Sequence, residues 1–189
     1  MNNSFLDQQR ALADAEADEI ILEYFSQGKQ MEVYAYLQKS LEDLLESDAK
    51  DKIISFIQGK EVKPTWLDPE KIKKGQAFFY KQALPIMTLL GALSLPYCYA
   101  GSPGNKALYL SEKMRKSTHK RLLDTADFII NVSKPNALDD TAVGHVYIRK
   151  IRLIHAVSRF YILKSGKWDD AWGAPINMED AAGTNLAFS

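Results

Sequence analysis

The chain has 189 residues, 46% of them apolar and 11% aromatic, enough for one domain with a buried core and too short for two comfortable ones, so disorder of the whole is excluded. Lys plus Arg and Asp plus Glu both number 24, and this zero balance lacks the basic excess of a chain held by phosphates, which argues against nucleic acid as a main partner. A single cysteine, Cys98, excludes an intramolecular disulfide and any zinc or iron–sulfur site needing two thiolates from one chain, and it fits a reducing, cytoplasmic-type compartment.

Helical periodicity dominates and strand alternation is nearly absent, so the expected fold class is all-α. Residues 10–26 set Leu12, Ile20, Ile21, Tyr24 and Phe25 among acidic positions. Gly28 is a candidate C-cap before a second helix through Val33, Tyr36, Leu37, Leu41, Leu44 and Leu45. Asp68-Pro69 reads as an N-cap with proline at the first helical position, opening a helix with Ile72, Gly75, Phe78 and Phe79. From Gln82 to Asn105 no residue is charged. Pro85 and Pro96 punctuate this stretch, and the helix between them covers only about half of a roughly 30 Å hydrocarbon core. It is therefore expected to be a buried core helix, with a lipid-facing surface as the minor alternative and no transmembrane span. After a turn at 101–104, two longer helices are expected at about 107–133, with a break near Ser117, and at about 140–164. Asn177 caps a last helix with Glu179 and Asp180 in its first turn. That helix meets the end of the chain at Ser189 after about three turns, which predicts a domain lacking its C-terminal helices. The first residues, Met1 to Asp7, have neither the basic region nor the apolar stretch of a secretory leader, so export is not expected.

The zero net charge conceals an asymmetry. Residues 1–70 carry 7 basic and 15 acidic side chains, and residues 71–189 carry 17 and 9. Mutual neutralisation by packing explains this, as does an anionic ligand on the cationic part. The three histidines, His119, His145 and His155, form no HxH or HxxxH pair.

One stretch stands out, Arg149-Lys150-Ile151-Arg152-Leu153-Ile154-His155-Ala156-Val157-Ser158-Arg159. On a helix Arg152, His155 and Arg159 share a stripe, placing an imidazole between two guanidinium groups. Two cations and apolar neighbours (Ile151, Ile154, Ile162) favour the neutral imidazole near pH 7. A neutral imidazole is a good iron ligand, and haem propionates would need the arginines. The plain alternative is a hydrogen-bonded core histidine. A second stretch, Thr118 to Ile129, puts Arg121 and Thr125 on one face, which reads equally as a salt-bridged surface with Arg121 near Asp124.

Six segments in order resemble the haem-b oxygenases that include the fungal MpaB-type enzymes and the bacterial rubber oxygenases, or latex clearing proteins. They are Ala17-Asp18-Glu19-Ile20-Ile21, Gly75-Gln76-Ala77-Phe78-Phe79, Ala92-Leu93-Ser94-Leu95-Pro96-Tyr97, Arg121-Leu122-Leu123-Asp124-Thr125, Ile151 to Arg159, and Pro175-Ile176-Asn177-Met178-Glu179-Asp180. The paired RLxxT and IRxxHAxxR segments are the most specific. The resemblance implies a single all-α domain of the rubber-oxygenase type, and the front residues, about 1–66, read as a helical preamble packed on a haem-site core at about 67–189. It implies that His155 is the proximal ligand of a haem b iron, that Arg152 and Arg159 surround it to bind the cofactor, and that Arg121 and Thr125 act at the haem pocket on O2 and an apolar, alkene-type substrate. Rubber-cleaving members carry a lysine immediately before the threonine. Asp124 stands there in this chain and cannot supply that cationic group. Two other classes remain as competitors. A non-catalytic helical module could bind haem or a lipid-like ligand without turnover, and a zinc hydrolase could use the three histidines, although HExxH is absent.

Overall fold

In the computed structural model, residues 4–59, 64–101, 104–111, 118–139 and 143–188 are described, and among them there are helices and turns but no strand. The all-α expectation holds.

The front half is more finely divided than its hydrophobic periodicity suggests. Helix α1 is Ser4–Arg10 and α2 is Ala15–Ser26. The expected single helix over 10–26 is interrupted because the Asp14 carboxylate accepts from the Ala17 N–H, capping a new helix within the apolar repeat. Past α2, Gly28 takes φ +74°, with Lys29 N–H donating to Tyr24 C=O and Gly28 N–H to Phe25 C=O, the paired bonds of a left-handed C-terminal cap. The second expected helix likewise divides into α3, Gln30–Gln38, and α4, Leu41–Glu46, because Ser40 caps the second by accepting from Asp43 N–H. Helix α5, Lys52–Gln58, is capped by Asp51 and escaped the periodicity reading because it is only two turns long.

Helix α6, Pro69–Lys81, begins as expected, with Asp68 accepting from Glu70 and Lys71 N–H. The uncharged stretch forms α7, Ala83–Leu89, a wide π turn over Leu90–Ser94, and α8, Leu95–Ala100. It is not a core helix. Only 11% of Ala83–Ala100 is buried, and the run is a single weak candidate for a span, apolar and long enough by length and composition alone. Burial depends on whether a partner surface exists, and sequence apolarity cannot supply one. Helix α9 is Asn105–Leu110, α10 is Thr118–Val132, α11 is Val143–Lys164 and α12 is Met178–Ala187. The expected break near Ser117 lies outside the described residues.

The core assembles around α11. Its Val146, Leu153 and Ala156 pack with Ala17, Ile20, Ile21, Tyr24 and Phe25 of α2, Val33 of α3, Leu44 of α4 and Ile53, Ile54, Phe56 and Ile57 of α5. Phe25 meets the Phe160 ring edge-on, with centroids 4.7 Å apart. The front helices thus supply most of the apolar wall against which α11 lies. On the opposite side α10 runs beside α11, and Tyr147 Oη donates to Asp127 Oδ2 at 3.2 Å.

The entry to α11 is sterically tight. A Cβ at Gly144 would stand 2.2 Å from the Ala137 carbonyl oxygen, which already accepts from the Gly144 N–H at 3.0 Å. Gly144→Ala should therefore cost about 1–3 kcal/mol in urea unfolding. Gly91→Ala, at an open helical position, should be neutral or stabilising by up to about 1 kcal/mol. Equal effects of the two substitutions would contradict this packing.

Candidate functional site

The residues singled out by sequence fall on two helices. Arg152, His155 and Arg159 lie on α11, and Arg121 and Thr125 lie on α10.

Both arginines of the α11 stripe reach to the start of α2. Arg152 makes a two-pronged pair with Asp14, Nε to Oδ2 at 2.7 Å and Nη2 to Oδ1 at 2.9 Å, and a further contact from Nη2 to Glu16 Oε2 at 2.7 Å. Its guanidinium also lies over the Phe56 ring, 4.9 Å from the centroid. Arg159, only 4% exposed, directs Nε at both oxygens of Asp18, 2.8 and 3.0 Å away. Its Nη1 donates to the Ile176 carbonyl at 3.4 Å. Its Nη2 is buried with no hydrogen-bond partner among the described residues. Acidic front and cationic back are thus joined by direct pairing at Asp14, Glu16 and Asp18, partners that the sequence alone did not single out. Their signal was present as three carboxylates at alternate positions within a helix start.

The two inner carboxylates respond oppositely. Burial works to raise Asp14, but the Arg152 hydrogen bonds, the Ala17 amide and the nearby guanidinium charges outweigh it and hold Asp14 below its ordinary value. At Asp18 burial prevails over the attraction of Arg159, and the carboxyl is raised.

His155 lies one turn from each arginine on the helix. Its side chain is accessible to water, with protein atoms dense around it. Desolvation by this crowding, with Arg159 adding repulsion and Asp14 opposing it, pushes the imidazole down to about 4. The neutral form expected from the sequence follows. Neither ring nitrogen has a hydrogen-bond partner among the described residues, so the hydrogen-bonded core histidine is not what is found.

The chain around Arg159 is held from a second direction. Ala174 N–H donates to Arg10 C=O, Met178 N–H to Leu12 C=O, and Arg10 pairs with Glu179 at 2.6 Å. Asn177, fully buried, caps α12 by accepting from Asp180 N–H, as its sequence position predicts. Ile176 takes φ +54°, an unusual value for a β-branched residue, and its carbonyl is the one that faces Arg159.

On α10, Arg121 donates through Nη2 to Tyr99 Oη and lies over the Tyr99 ring, 5.4 Å from its centroid. The Thr125 hydroxyl donates to the Arg121 carbonyl at 2.9 Å. These contacts tie the pair to α8 and to its own helix. Arg121 does not take Asp124 as a described ion-pair partner, and Asp124 instead raises the affinity of Lys150 for its proton against a larger lowering by burial.

Among the described residues no three His, Cys, Asp or Glu side chains converge as a metal site, an observation that bears on ions held by several protein ligands and not on a single axial ligand. Two shallow open depressions lie beside α5, one lined by Tyr36 and Lys50 and the other by Glu16 and Arg149, and neither includes His155. No family model, no curated protein and no solved structure matches the chain.

Two measurements test this geometry. Asp18→Asn leaves a buried, charged Arg159 without its partner and should cost about 3 kcal/mol or more in urea unfolding. Arg152→Met, at a more exposed pair, should cost about 1 kcal/mol. For His155 the folded pKa lies below the unfolded one, so the folded state binds fewer protons. Its contribution is complete above pH 6.5 and is lost as pH falls toward about 4. Wild type should lose more stability across that interval than His155→Gln, and the imidazole should titrate by NMR with its midpoint near 4. A midpoint at the ordinary histidine value would contradict the crowded setting.

Proposed function

We propose that this protein is a haem-b-dependent oxygenase, an oxidoreductase acting with O2 on an apolar substrate, with alkenes the first class to examine. The observation that carries the reading is the imidazole of His155, held neutral and without a hydrogen-bond partner among the described residues, one turn from a buried guanidinium whose Nη2 also lacks one among them. An axial nitrogen and a donor for an anionic carboxylate are two of the things haem b needs of a protein. His155 and Arg159 would supply those two.

In this reading His155 would hold the iron through a ring nitrogen that carries no proton to lose. Arg159 would hold an anionic group of the cofactor through Nη2, while Asp18 and the Ile176 carbonyl keep the rest of the guanidinium fixed. Arg152 acts on the site at one remove, by holding the start of α2 through Asp14 and Glu16. Haem b, when bound, supplies the iron that activates O2. Arg121 and Thr125 are the candidates for orienting O2 and substrate. Thr125 Oγ1 donates its proton to its own helix, which leaves the oxygen lone pairs available as acceptors, and Tyr99 steadies the Arg121 side chain. The single free cysteine and the reducing, cytoplasmic-type compartment belong to the same reading.

A second reading, a helical module that binds haem or a lipid-like ligand without turnover, draws on the capture of Arg152 by two carboxylates and on Asp124 beside Thr125. An absorption spectrum separates the readings. With added hemin, wild type should show a stoichiometric Soret band that shifts on reduction and collapses in His155→Ala. Consumption of O2 with an unsaturated substrate would then support the oxygenase. Binding without turnover would support the module. No band, or a band indifferent to the substitution, would remove both haem readings.

A further inference from the structure

The apolar run from α7 to α8 is carried on the outside of the molecule in a regular pattern. Leu84 and Pro85, Thr88 and Leu89, Ala92 and Leu93, and Pro96 and Tyr97 are all exposed, in adjacent pairs repeating every four residues. In a uniform α-helix a four-residue repeat drifts around the axis by about 40° per step. The π turn at Leu90–Ser94 has more residues per turn and rotates the second half back, which keeps the pairs on one side. Leu84 is 81% exposed and Tyr97 73%, and Phe78 and Tyr80 of the preceding α6 are exposed beside them. Contiguous apolar surface on this scale marks an interaction site.

Charge indicates what covers it. From Lys71 to Ser111 the chain has five lysines, Lys71, Lys73, Lys74, Lys81 and Lys106, and no aspartate or glutamate. All five are exposed. Lys74 and Lys81 make no described ion pair. Lys71 and Lys73 reach only loosely to Asp68 and Glu70, at 3.8 and 3.6 Å. Lys106 lies over the Trp172 ring, 5.3 Å from its centroid, and Asp180 stands beside Gly104 at that end, so the α6 lysines are the main cations. An apolar ridge continuing from a lysine-rich helix complements an anionic lipid surface, where alkyl chains take the leucines and headgroups take the lysines.

The anchoring of its two ends decides between lying on a bilayer and crossing it. The α6 side is tied to the loop after α10, where Gln76 Oε1 accepts from Asn136 N–H at 3.3 Å. The α8 side is tied to the start of α10 through Tyr99 and Arg121. A crossing would separate these ends across the hydrocarbon and carry Lys120, Arg121, Asp124 and Asp127 of α10 into it, at a cost of several kcal/mol for each charge. We infer that the α7–α8 ridge, flanked by the α6 lysines, seats this protein peripherally on an anionic phospholipid surface. The inference does not depend on the haem reading.

Cosedimentation of the full chain with vesicles tests it. Wild type should bind phosphatidylcholine vesicles containing phosphatidylglycerol and bind pure phosphatidylcholine far more weakly. Lys74→Gln and Lys81→Gln should each weaken binding about fivefold, and added salt should weaken it further. Leu89→Asp with Leu93→Asp, both at exposed positions, should abolish binding with an unchanged circular dichroism spectrum. The tryptophan of Leu93→Trp should shift to the blue on anionic vesicles. Failure of the folded wild type to bind, binding undiminished in the double aspartate variant, or a concentration-dependent dimer that Leu93→Asp dissolves would each overturn the proposal, the last by assigning the ridge to a second copy of the chain.

Discussion

Two arginines of α11 reach back over 138 and 141 residues to the carboxylates that open α2, and most of the molecule's order is arranged around that clamp. Between the two ion pairs lie Leu153 and Ala156, both fully or nearly fully buried against Ala17, Ile20 and Ile21. Apolar burial supplies the attraction between the helices, whereas the paired charges set their register, because sliding α11 by one turn would strand a buried guanidinium. Arg149 extends the same device to α5 by donating to the Phe56 carbonyl at 2.9 Å.

That clamp also sets the chemistry available at His155. The imidazole is crowded by protein and shares a helix face with Arg159, and both effects disfavour its charged form. Asp18 orients Arg159 through its Nε, and burial raises the Asp18 carboxyl against the attraction of that guanidinium. The outcome is a neutral nitrogen base beside an incompletely satisfied cation. Ile176 adds a constraint from the far end of the chain, holding an uncommon backbone conformation while its carbonyl meets Arg159. Residues 10–18, 149–159 and 174–180 therefore converge on one region although no two of these segments are adjacent in sequence.

The opposite extreme is the α7–α8 ridge, where apolar side chains face outward, continuing from the lysine-rich α6. A soluble core and an exposed ridge can have the same composition, and the distinction arises from what packs against them. Here α11 and the front helices already satisfy one another, so the ridge is left on the outside with its ends fastened to α10.

Much of the local structure was legible in the residues. The all-helical class, the caps at Asp68 and Asn177 and the left-handed cap at Gly28 follow from short-range chemistry, in which a side-chain oxygen or a missing Cβ settles the backbone of the next few residues. The neutral state of His155 was legible for the same reason, since its charged neighbour Arg159 lies one turn away on the same helix. The interruptions at Asp14 and Ser40 were hidden because apolar periodicity continues straight through them, and a capping residue inside a periodic run looks like any other polar position. Only the tertiary structure decided that Arg152 and Arg159 pair with α2, that Arg121 engages Tyr99, and that the uncharged helix lies outside the core. Each of these depends on which surface arrives from a distant part of the chain, and neither burial nor ion pairing is a property of a residue alone. The sequence determined which helices could form and which charges they carried. Packing determined which of those charges were paired and which apolar face lies exposed among the described residues.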